Sequence, residues 1–475
     1  MSLKGAVAVL VGTAAGMYVY SVVSFAWKHR GKKLPPIYNS GLIVPVAGAA
    51  FQFLTDPLKL ARRAEKELGD VFTIKVFGAR LTFMSGPDAQ ENFFRARDDQ
   101  LSQKEAYKFS VPLFGKNVVY DCEIGKRTEQ IKLVTSSLHT TSLAQYVPMM
   151  IEEAELYFNK WGESGEVDLY HALSELIILT ASRCLMGKEV RGELFNDMHE
   201  LYSTLDKGLQ PITFFWPEFP MPAHWNRNKA RVQMAKLFQG IVDKRRAAGA
   251  SEKDVLQVFM DAKYKDGSSL PVEEISGLMI ALLFAGQHTS SVTSTWTGLY
   301  ILQNKDRVLP RILDEIKSTP FTAEGIKGLP FLGANISEAL RMHPPLIFVM
   351  REVMEDREYN GMTIPKGDKV FCSPAMSGRR EDVFTNPDYF DPDRFLAPRE
   401  EQREGSHTWL SFGGGRHRCI GENFAYTQIK TIWVYLLKNF DMELVGDMPL
   451  PNYEALVVGP SSPCTIKYTR RKTPI

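Results

Sequence analysis

The sequence predicts a mainly α-helical protein with a small β region, preceded by an apolar N-terminal helix. Two observations predict the helical part: an uncharged run from Gly5 to Trp27 and a long helical pattern from about Pro271 to Gln303. A third observation predicts the β region, because strand signals occur in three separate segments: Val71 to Met84, Arg351 to Phe371 and Tyr453 to Tyr468.

The composition is that of a large globular protein. The chain has 475 residues, of which 44% are apolar and 24% charged, so it is too apolar to be disordered. A net charge of +2 gives no reason to expect a polyanion, and no nucleic-acid partner is predicted. The five cysteines form no CxxC pair, which excludes a zinc ribbon or a dense disulfide scaffold. A functional cysteine would therefore act alone.

The N-terminal run is long enough to cross a membrane. As a helix, Gly5 to Trp27 would extend about 34 Å, against a hydrocarbon core of about 30 Å. Lys28 to Lys33 is strongly basic, which by the positive-inside rule places the rest of the chain in the cytoplasm. We predict a membrane anchor at residues 1–30 and a single domain at 31–475, of which 31–50 form a Pro/Gly hinge. A cleaved signal peptide and a buried N-terminal helix are the alternatives.

The long helical pattern predicts an element at the centre of the fold. Pro271 and the acidic pair Glu273-Glu274 are typical of a helix start. A helix of this length spans about 45 Å, the width of a whole domain, so it must pass through the core. In the first strand segment, Gly78-Ala79 separates two alternating halves, which indicates a β-hairpin.

The segment from Trp409 to Gly421 is the most informative. Its three consecutive glycines allow positive φ angles or a close approach of the backbone to a flat group. Cys419 follows them, before an apolar helical pattern from Phe424 to Leu437, where free amides and the helix dipole favour a thiolate. Most lone cysteines are small buried hydrophobes. This position instead favours a metal thiolate, since a catalytic cysteine would also need a paired base.

The pattern Phe412-x-x-Gly415-x-His417-x-Cys419-x-Gly421 resembles the haem-binding loop of the cytochromes P-450. The resemblance implies the cytochrome P-450 fold, in which a long central helix lies over a buried haem b. It also implies that Cys419 is the thiolate ligand of the haem iron. Most of the family has Arg where this chain has His417. That histidine is characteristic of the sterol 14α-demethylase branch, in which it contacts a haem propionate.

Two more motifs follow in the order that the family requires. Glu338-Ala-Leu-Arg341 is an E-x-x-R pair, and Arg394 lies further along in a Pro-Asp-Arg-Phe segment. An ion pair at i, i+3 is by itself a weak signal, because such pairs are common on exposed helices. The resemblance implies that Glu338, Arg341 and Arg394 form a buried cluster that supports the haem loop. Loss of one member would leave an unpaired buried charge.

The long helix contains the segment Ala285-Gly286-Gln287-His288-Thr289. From the residues alone, a packed face rich in Ser and Thr is the simpler interpretation. Beside a haem, the segment is similar to the oxygen-activation site of the cytochromes P-450. Most relatives have an acidic residue before the threonine, whereas the sterol 14α-demethylases share His288. The resemblance implies that His288 and Thr289 deliver protons at this site.

A second branch-specific segment runs from Tyr107 to Asp121. It resembles the signature Y-x-x-F/L-x-x-P-x-F-G-x-x-V-x-Y-D of the sterol 14α-demethylases, although its first part is one residue shorter than in some members. Aromatic-rich loops of this kind usually serve core packing. The resemblance implies that Tyr107 and Tyr120 hydrogen-bond the haem propionates and that Phe109 and Phe114 line the sterol cavity.

The remaining predicted site residues also come from the resemblance. Arg351 matches another propionate partner, and a basic residue expected on the next helix is either Arg127 or Lys132. Apolar side chains, as a mostly hydrocarbon sterol requires, occupy family positions that line the substrate cavity: Phe284, Ala285, Leu346, Phe348, Met350 and Leu456. Phe109 matches members associated with sterols that carry one methyl group at C4, which gives a substrate hypothesis.

The resemblance covers about residues 35 to 470 and implies a haem-thiolate monooxygenase of sterol biosynthesis. The implied reaction removes the 14α-methyl group of a sterol precursor by three successive oxidations with release of formate. Gly413-Gly-Gly415 lacks the spacing and context of a dinucleotide site, so a separate NADPH–cytochrome P-450 reductase is expected to supply electrons near Cys419. The implied location is the endoplasmic reticulum membrane, with the catalytic domain facing the cytoplasm. A cytochrome P-450 acting on another lipid or a xenobiotic, a haem-thiolate isomerase and a haem carrier are the alternatives.

Overall fold

The computed structural model describes residues 23–39, 49–192, 194–249 and 251–475. Most of the predicted anchor and part of the predicted hinge lie outside these residues, so the anchor stays a prediction. Among the described residues, one helix is long and apolar enough to span a membrane, Val272–Gln303, and 67% of its most apolar window is buried inside the protein. That burial identifies it as a core helix.

The described part of the chain is mainly helical, as predicted. The helices are Ala50–Thr55, Pro57–Leu68, Pro87–Arg95, Gln103–Ala106, Val111–Phe114, Ile124–Ser137, Thr140–Phe158, Leu169–Ala181, Lys188–Arg191, Phe195–Lys207, Pro222–Ala248, Val255–Asp261, Val272–Gln303, Leu309–Lys317, Ala323–Lys327, Pro330–Met342, Pro374–Ser377 and Glu422–Asn439. Short 3₁₀ turns occur at Lys108–Ser110, Val119–Asp121, Pro211–Phe214, Pro392–Phe395, Glu401–Arg403 and Gly415–His417, and a π turn at Ser182–Met186.

The strands form a small β region, also as predicted. They are β1 Val71–Val76, β2 Ala79–Met84, β3 Leu101–Ser102, β4 Ser164–Asp168, β5 Val349–Val353, β6 Arg357–Tyr359, β7 Met362–Ile364, β8 Lys369–Cys372, β9 Phe440–Leu444, β10 Pro451–Asn452, β11 Gly459–Pro460 and β12 Thr465–Arg470. The largest sheet has the order β1-β2-β8-β5-β3, and a three-stranded sheet has the order β4-β12-β9.

The predicted hairpin is present as the antiparallel pair β1–β2, in which Thr73 lies opposite Thr82. Its turn consists of Phe77 and Gly78, with φ angles of 49° and 80°, one residue earlier than the Gly78-Ala79 pair that the sequence suggested. Strand β2 pairs with β8 in parallel, and β8 pairs with β5 in the antiparallel direction. This order places Arg351, on β5, inside the sheet.

The helix Val272–Gln303, here called the central helix, begins after Pro271 as predicted. Glu273 and Glu274 lie in its first turn, where negative charge stabilises the positive end of the helix dipole. Every residue from Ser290 to Leu302 is buried, so this half is surrounded by protein on all sides. The segment before it, which contains His288 and Thr289, is only partly buried.

The helix Glu422–Asn439, here called the cysteine helix, packs directly against the central helix. Trp433 is completely buried and donates from Nε1 to the Ser294 carbonyl oxygen at 3.1 Å. A Cβ atom at Gly298 would lie 2.0 Å from Cζ2 of Trp433, so only glycine permits this contact. The two helices that carry the predicted site are therefore in close contact.

The residues after the predicted anchor contact the sheets. Tyr38 and Thr73 are joined by a backbone hydrogen bond of 2.8 Å, and Thr363 donates its N–H to the Lys33 carbonyl oxygen at 2.7 Å. Lys32 forms an ion pair of 2.9 Å with Asp356. The described part of the predicted hinge therefore lies against the domain.

Candidate haem site

The loop that carries Cys419 approaches the helix Pro87–Arg95 closely. Gly413 and Gly415 have φ angles of 69° and 61°, in the region that favours glycine. A Cβ atom at Gly415 would lie 2.6 Å from the Phe94 carbonyl oxygen. The sequence suggested that these glycines either take positive φ angles or let the backbone pass close to a flat group. The structure shows the positive φ angles, and the group that Gly415 approaches is the Phe94 backbone. The Cys419 N–H donates to the Phe412 carbonyl oxygen at 2.8 Å, which closes the loop before the cysteine helix.

Cys419 is exposed, whereas the other four cysteines are buried. Enough protein surrounds its sulfur that burial raises the pKa of the thiol, and the backbone N–H groups of Gly421 and Glu422 oppose that shift only in part. The free amides that the sequence argument relied on thus favour the thiolate here, while burial acts in the opposite direction. A thiol with a raised pKa is a poor free nucleophile, but a metal ion displaces its proton on binding. This chemistry suits a metal ligand better than a catalytic nucleophile.

Tyr107 and Tyr120 lie together near this loop. Their rings stack with centroids 4.9 Å apart, and the Arg127 guanidinium lies 5.1 Å from the centroid of the Tyr120 ring. Burial raises the pKa of both tyrosines, so both hydroxyl groups remain available as donors. Lys132 is exposed on the outer face of the same helix. Of the two candidates that the sequence left open, the structure places Arg127 at the site.

Arg351 is a buried cation. It is 2% exposed, and its Nη1 donates to the Phe93 carbonyl oxygen at 2.8 Å. Among the residues that the structure describes, it forms no ion pair, and burial lowers its pKa to about 10. An unpaired buried charge is costly, and a carboxylate from a bound group would compensate it. The cation therefore fits a haem propionate, with Tyr107, Tyr120 and Arg127 as further donors.

His417 has a protein partner that the sequence did not indicate. Its Nε2 lies 2.6 Å from Oδ1 of Asp98, and Arg416 lies 3.9 Å from the same carboxylate. Burial lowers the pKa of His417 to about 4, although Asp98 opposes the shift, so the neutral ring donates its single proton to Asp98. The remaining Nδ1 is then an acceptor. His417 therefore has its N–H engaged by Asp98, whereas Arg351 lacks a carboxylate partner among the described residues.

Glu338, Arg341 and Arg394 form a buried ion-pair cluster. The Glu338 carboxylate accepts from Nε of Arg341 at 2.6 Å and from Nε of Arg394 at 3.0 Å, and all three side chains are at most 1% exposed. Arg394 also donates to Glu401 at 2.6 Å, a fourth member that the sequence analysis missed. Glu401 also accepts from Arg399 at 2.6 Å, so the cluster continues to a partly exposed arginine.

This cluster is connected to the cysteine loop through packed side chains. Phe395, next to Arg394, contacts the ring of Trp409 at 5.5 Å, and Trp409 contacts Phe412 at 5.8 Å. Ser411 donates to the Leu340 carbonyl oxygen at 3.0 Å, next to Arg341. The contacts agree with the predicted role of the cluster as a support for the loop.

On the central helix, His288 is paired with Asp206 of the helix Phe195–Lys207. The distance from Nε2 to Oδ1 is 3.0 Å, and the two side chains are 25% and 40% exposed. The Thr289 hydroxyl donates to the Ala285 carbonyl oxygen at 2.6 Å. A Cβ atom at Gly286 would meet nothing within 4 Å, so the helix borders open space here. His288 therefore has a carboxylate neighbour, Asp206, that is accessible to solvent.

The predicted substrate residues fall into three sets. Phe284 of the central helix contacts Phe114 of the helix Val111–Phe114, with ring centroids 6.4 Å apart. Phe109, Phe348 and Met350 belong to the hydrophobic cluster beside the largest sheet. A third set is accessible to solvent: Ala285, Leu346 and Leu456. The structure thus spreads these residues over the central helix, the sheet and the segment before β11.

Several site residues could not be found by sequence reasoning. Asp98 and Asp206 bind histidines that lie 319 and 82 positions away in the chain. The Tyr202 hydroxyl donates a hydrogen bond of 2.7 Å to Gln287, the residue directly before His288, and so holds that residue in place. No local pattern marks these residues, because only the fold brings each to its partner.

The exposed Cys419, the buried Arg351 and the stacked tyrosines offer the sulfur, the cation and the hydroxyl groups that a thiolate-ligated haem would use. A family model described as "Cytochrome P450" matches residues 39–468. The chain therefore belongs to the cytochrome P450 family, in its sterol 14-demethylase branch.

The relatives that support the branch cover nearly the whole chain. The obtusifoliol 14-alpha demethylase of Triticum aestivum is 46% identical over 90% of this chain and 97% of its own length. The sterol 14-demethylase of Arabidopsis thaliana is 43% identical over 94% of both chains, and the lanosterol 14-alpha demethylase of Homo sapiens is 37% identical over 93% of this chain and 87% of its own. A solved structure, "Retinoic acid bound cyanobacterial CYP120A1", superimposes with a TM-score of 0.82 at 24% identity, covering 93% of this chain and all of its own, and supports the fold alone.

Proposed function

We propose that this protein is a sterol 14α-demethylase, a haem-thiolate monooxygenase that oxidises the 14α-methyl group of a sterol precursor three times and releases it as formate. The observation that carries the proposal is the arrangement of Cys419 at the start of its helix with Tyr107, Tyr120 and Arg127 beside it. Relatives at 37–46% identity are named as demethylases of obtusifoliol and lanosterol.

Haem b, held through its iron by Cys419, would supply the activation of molecular oxygen. The protein's own part is to bind, orient and deliver protons. Arg351, with Tyr107 and Tyr120, would hold the propionates in a buried setting, where charge-assisted hydrogen bonds are strong. Phe114 and Phe284 offer apolar surface for a ligand that is mostly hydrocarbon.

His288 would pass protons to the oxygen-activation site. Its partner Asp206 is the more exposed of the pair, so a proton can reach Asp206 from solvent and move to the imidazole over 3.0 Å. Thr289 provides a hydroxyl group on the same turn. Protons would thus pass from solvent through Asp206 and His288 to the partly buried turn of the central helix that contains Thr289.

The electrons would come from a separate NADPH–cytochrome P-450 reductase, which would dock near Cys419. Arg416 and Arg418 are about half exposed beside the cysteine and offer positive charge to such a partner.

The N-terminal run would anchor the protein in the endoplasmic reticulum membrane with the domain in the cytoplasm. Protease treatment of sealed microsomes tests this orientation, because a protected domain would contradict it.

The direct test is reconstitution of the holoenzyme with a reductase, NADPH and lipid vesicles. We expect one formate for each 14α-methyl sterol converted, and no formate from any sterol would refute the proposal. Phe109, which is 7% exposed and lies 5.7 Å from Phe214, matches family members associated with sterols that carry one methyl group at C4, and on that resemblance we infer the same preference here. In a competition assay, faster conversion of a C4-dimethylated sterol would contradict that preference.

We expect His288→Ala to lower the rate of sterol conversion about 100-fold, because a positioned acid–base group contributes at least that factor. NADPH consumption should continue without product, and the spectrum of the reduced, CO-bound enzyme should not change. Asp206→Asn should act in the same direction, since it removes the carboxylate that would pass protons from solvent to His288. The control is His199→Ala, an exposed histidine on the helix that carries Asp206. If His288→Ala still formed sterol product in the normal ratio to the NADPH consumed, the proton-delivery role would be excluded.

A further inference from the structure

Gln130 is a completely buried glutamine whose amide uses all of its hydrogen-bonding capacity. Its Oε1 accepts from the Val119 N–H at 2.9 Å and from the Cys122 thiol at 3.4 Å. Its Nε2 donates to the Asn117 carbonyl oxygen at 2.8 Å and to the Tyr264 hydroxyl at 3.1 Å. An amide offers two donors and two acceptor positions, and here every one has a partner.

The backbone that Gln130 holds is strained. Asn117 and Val119 have φ angles of 60° and 45°. Asparagine tolerates this region, but a β-branched valine is rarely found there. Such a conformation persists only where surrounding contacts determine it. Gln130 bonds the backbone of both residues, so it stabilises the two positions where the loop would otherwise relax.

These two strained residues lie immediately before Tyr120. The Tyr120 ring stacks on Tyr107 and lies under Arg127, which precedes Gln130 by three positions on the same helix. One turn of this helix therefore contacts both the backbone before Tyr120 and the ring of Tyr120 itself. A movement of the loop would separate Tyr120 from both of its neighbours.

Gln130 is itself fixed by the central helix. The Tyr264 hydroxyl, which accepts from Gln130, donates to Oε2 of Glu274 at 2.5 Å, and Lys126 donates to the other oxygen of that carboxylate. Glu274 is 5% exposed and lies in the first turn of the central helix. The network thus ties the loop to the helix that forms the opposite side of the site.

We propose that Gln130 is a positioning residue that holds the segment from Asn117 to Asp121 so that Tyr120 faces the haem. It acts through Tyr120 and touches neither cofactor nor sterol. The inference rests on the proposed haem site and does not depend on which sterol is the substrate.

The first test measures how often the loop opens. Lys116 is exposed in this loop, directly before Asn117, and trypsin cleaves after it only when the loop opens. In the full-length holoenzyme, Gln130→Leu should raise the rate of cleavage after Lys116 about tenfold, because it removes the hydrogen bonds that hold the Val119 N–H and the Asn117 carbonyl oxygen. The matched control is Gln428→Leu, another buried glutamine, which bonds Thr180 at 2.7 Å and should leave this rate unchanged. An unchanged rate in Gln130→Leu would overturn the proposal.

The second test is a double-mutant cycle on haem retention, measured as transfer of haem to excess apomyoglobin. Gln130→Leu and Tyr120→Phe should each speed haem loss about tenfold, and the double variant should lose haem no faster than either single one. Independent, multiplying effects would show that Gln130 does not act through Tyr120. If Gln130→Leu does not fold, Gln130→Glu keeps the acceptor oxygens and should give an intermediate rate; a wild-type rate would overturn the proposal. If the wild-type enzyme shows no sterol conversion, the cycle still reports on the loop.

Discussion

Cys419→Ser is expected to abolish sterol conversion, with a loss of at least about a thousandfold, equivalent to about 4 kcal/mol of transition-state stabilisation. Serine preserves the size of the side chain and the hydrogen bond between its backbone N–H and Phe412, so the loop should remain folded. An alcohol is a much weaker anionic ligand than a thiolate, and oxygen activation in this class depends on electron donation from sulfur. The measurement is formate release together with the spectrum of the reduced, CO-bound protein.

The control for this variant is Cys464→Ser. Cys464 is 1% exposed and bonds the Ser461 carbonyl oxygen through its sulfur, so a hydroxyl group can take its place. We expect a normal thiolate spectrum for Cys464→Ser and none for Cys419→Ser. Retention of that spectrum without the Cys419 sulfur would show that another group binds the iron.

Glu338→Gln should reduce the free energy of unfolding by about 3–5 kcal/mol, because breaking a buried ion pair leaves uncompensated charge. The carboxylate accepts hydrogen bonds from Arg341, from Arg394 and from the Asp391 N–H. With an amide in its place, Arg341 loses its carboxylate partner, and Arg394 keeps Glu401, which it shares with Arg399. Urea unfolding of the holoenzyme measures the change, and haem content should fall with it, since the cluster supports the cysteine loop.

A surface ion pair provides the comparison for Glu338→Gln. Glu443 lies 3.3 Å from Lys305, with side chains 66% and 50% exposed, so Glu443→Gln makes the same chemical change in water. We expect an effect below about 1 kcal/mol for this pair. If the two variants were equally stable, the buried cluster would not have the structural role assigned to it.

Much of the fold could be predicted from local patterns. The central helix begins where Pro271 indicated, and the β1–β2 hairpin lies within the predicted segment. The helix predicted from Phe424 to Leu437 extends from Glu422 to Asn439. These elements have strong periodicity and clear end signals. The N-terminal anchor lies mostly outside the described residues and stays a prediction.

The chemistry of the site was less predictable where it depends on distant partners. Charge near Cys419 suggested a lowered thiol pKa, but Arg418 is paired with Glu422, and burial around the sulfur raises the pKa. Sequence spacing could not separate Arg127 from Lys132, since both lie on one helix and only packing shows which side each occupies. Gln130 has no sequence signal at all, because two of its four partners are backbone groups and a third, Tyr264, lies 134 positions away.

The absence of a side chain at Gly298 has a wider consequence. Because the indole of Trp433 fills the space a methyl group would need, the central and cysteine helices cannot slide along each other without a collision. The distance between the central helix and the cysteine helix is then set by this contact, whatever ligand is bound. Adaptation to ligands of different shape must come from the other walls, such as the tyrosine-bearing loop and the helix of Asp206. We expect selection for new substrates to accumulate changes in those walls and to leave the Gly298 contact untouched.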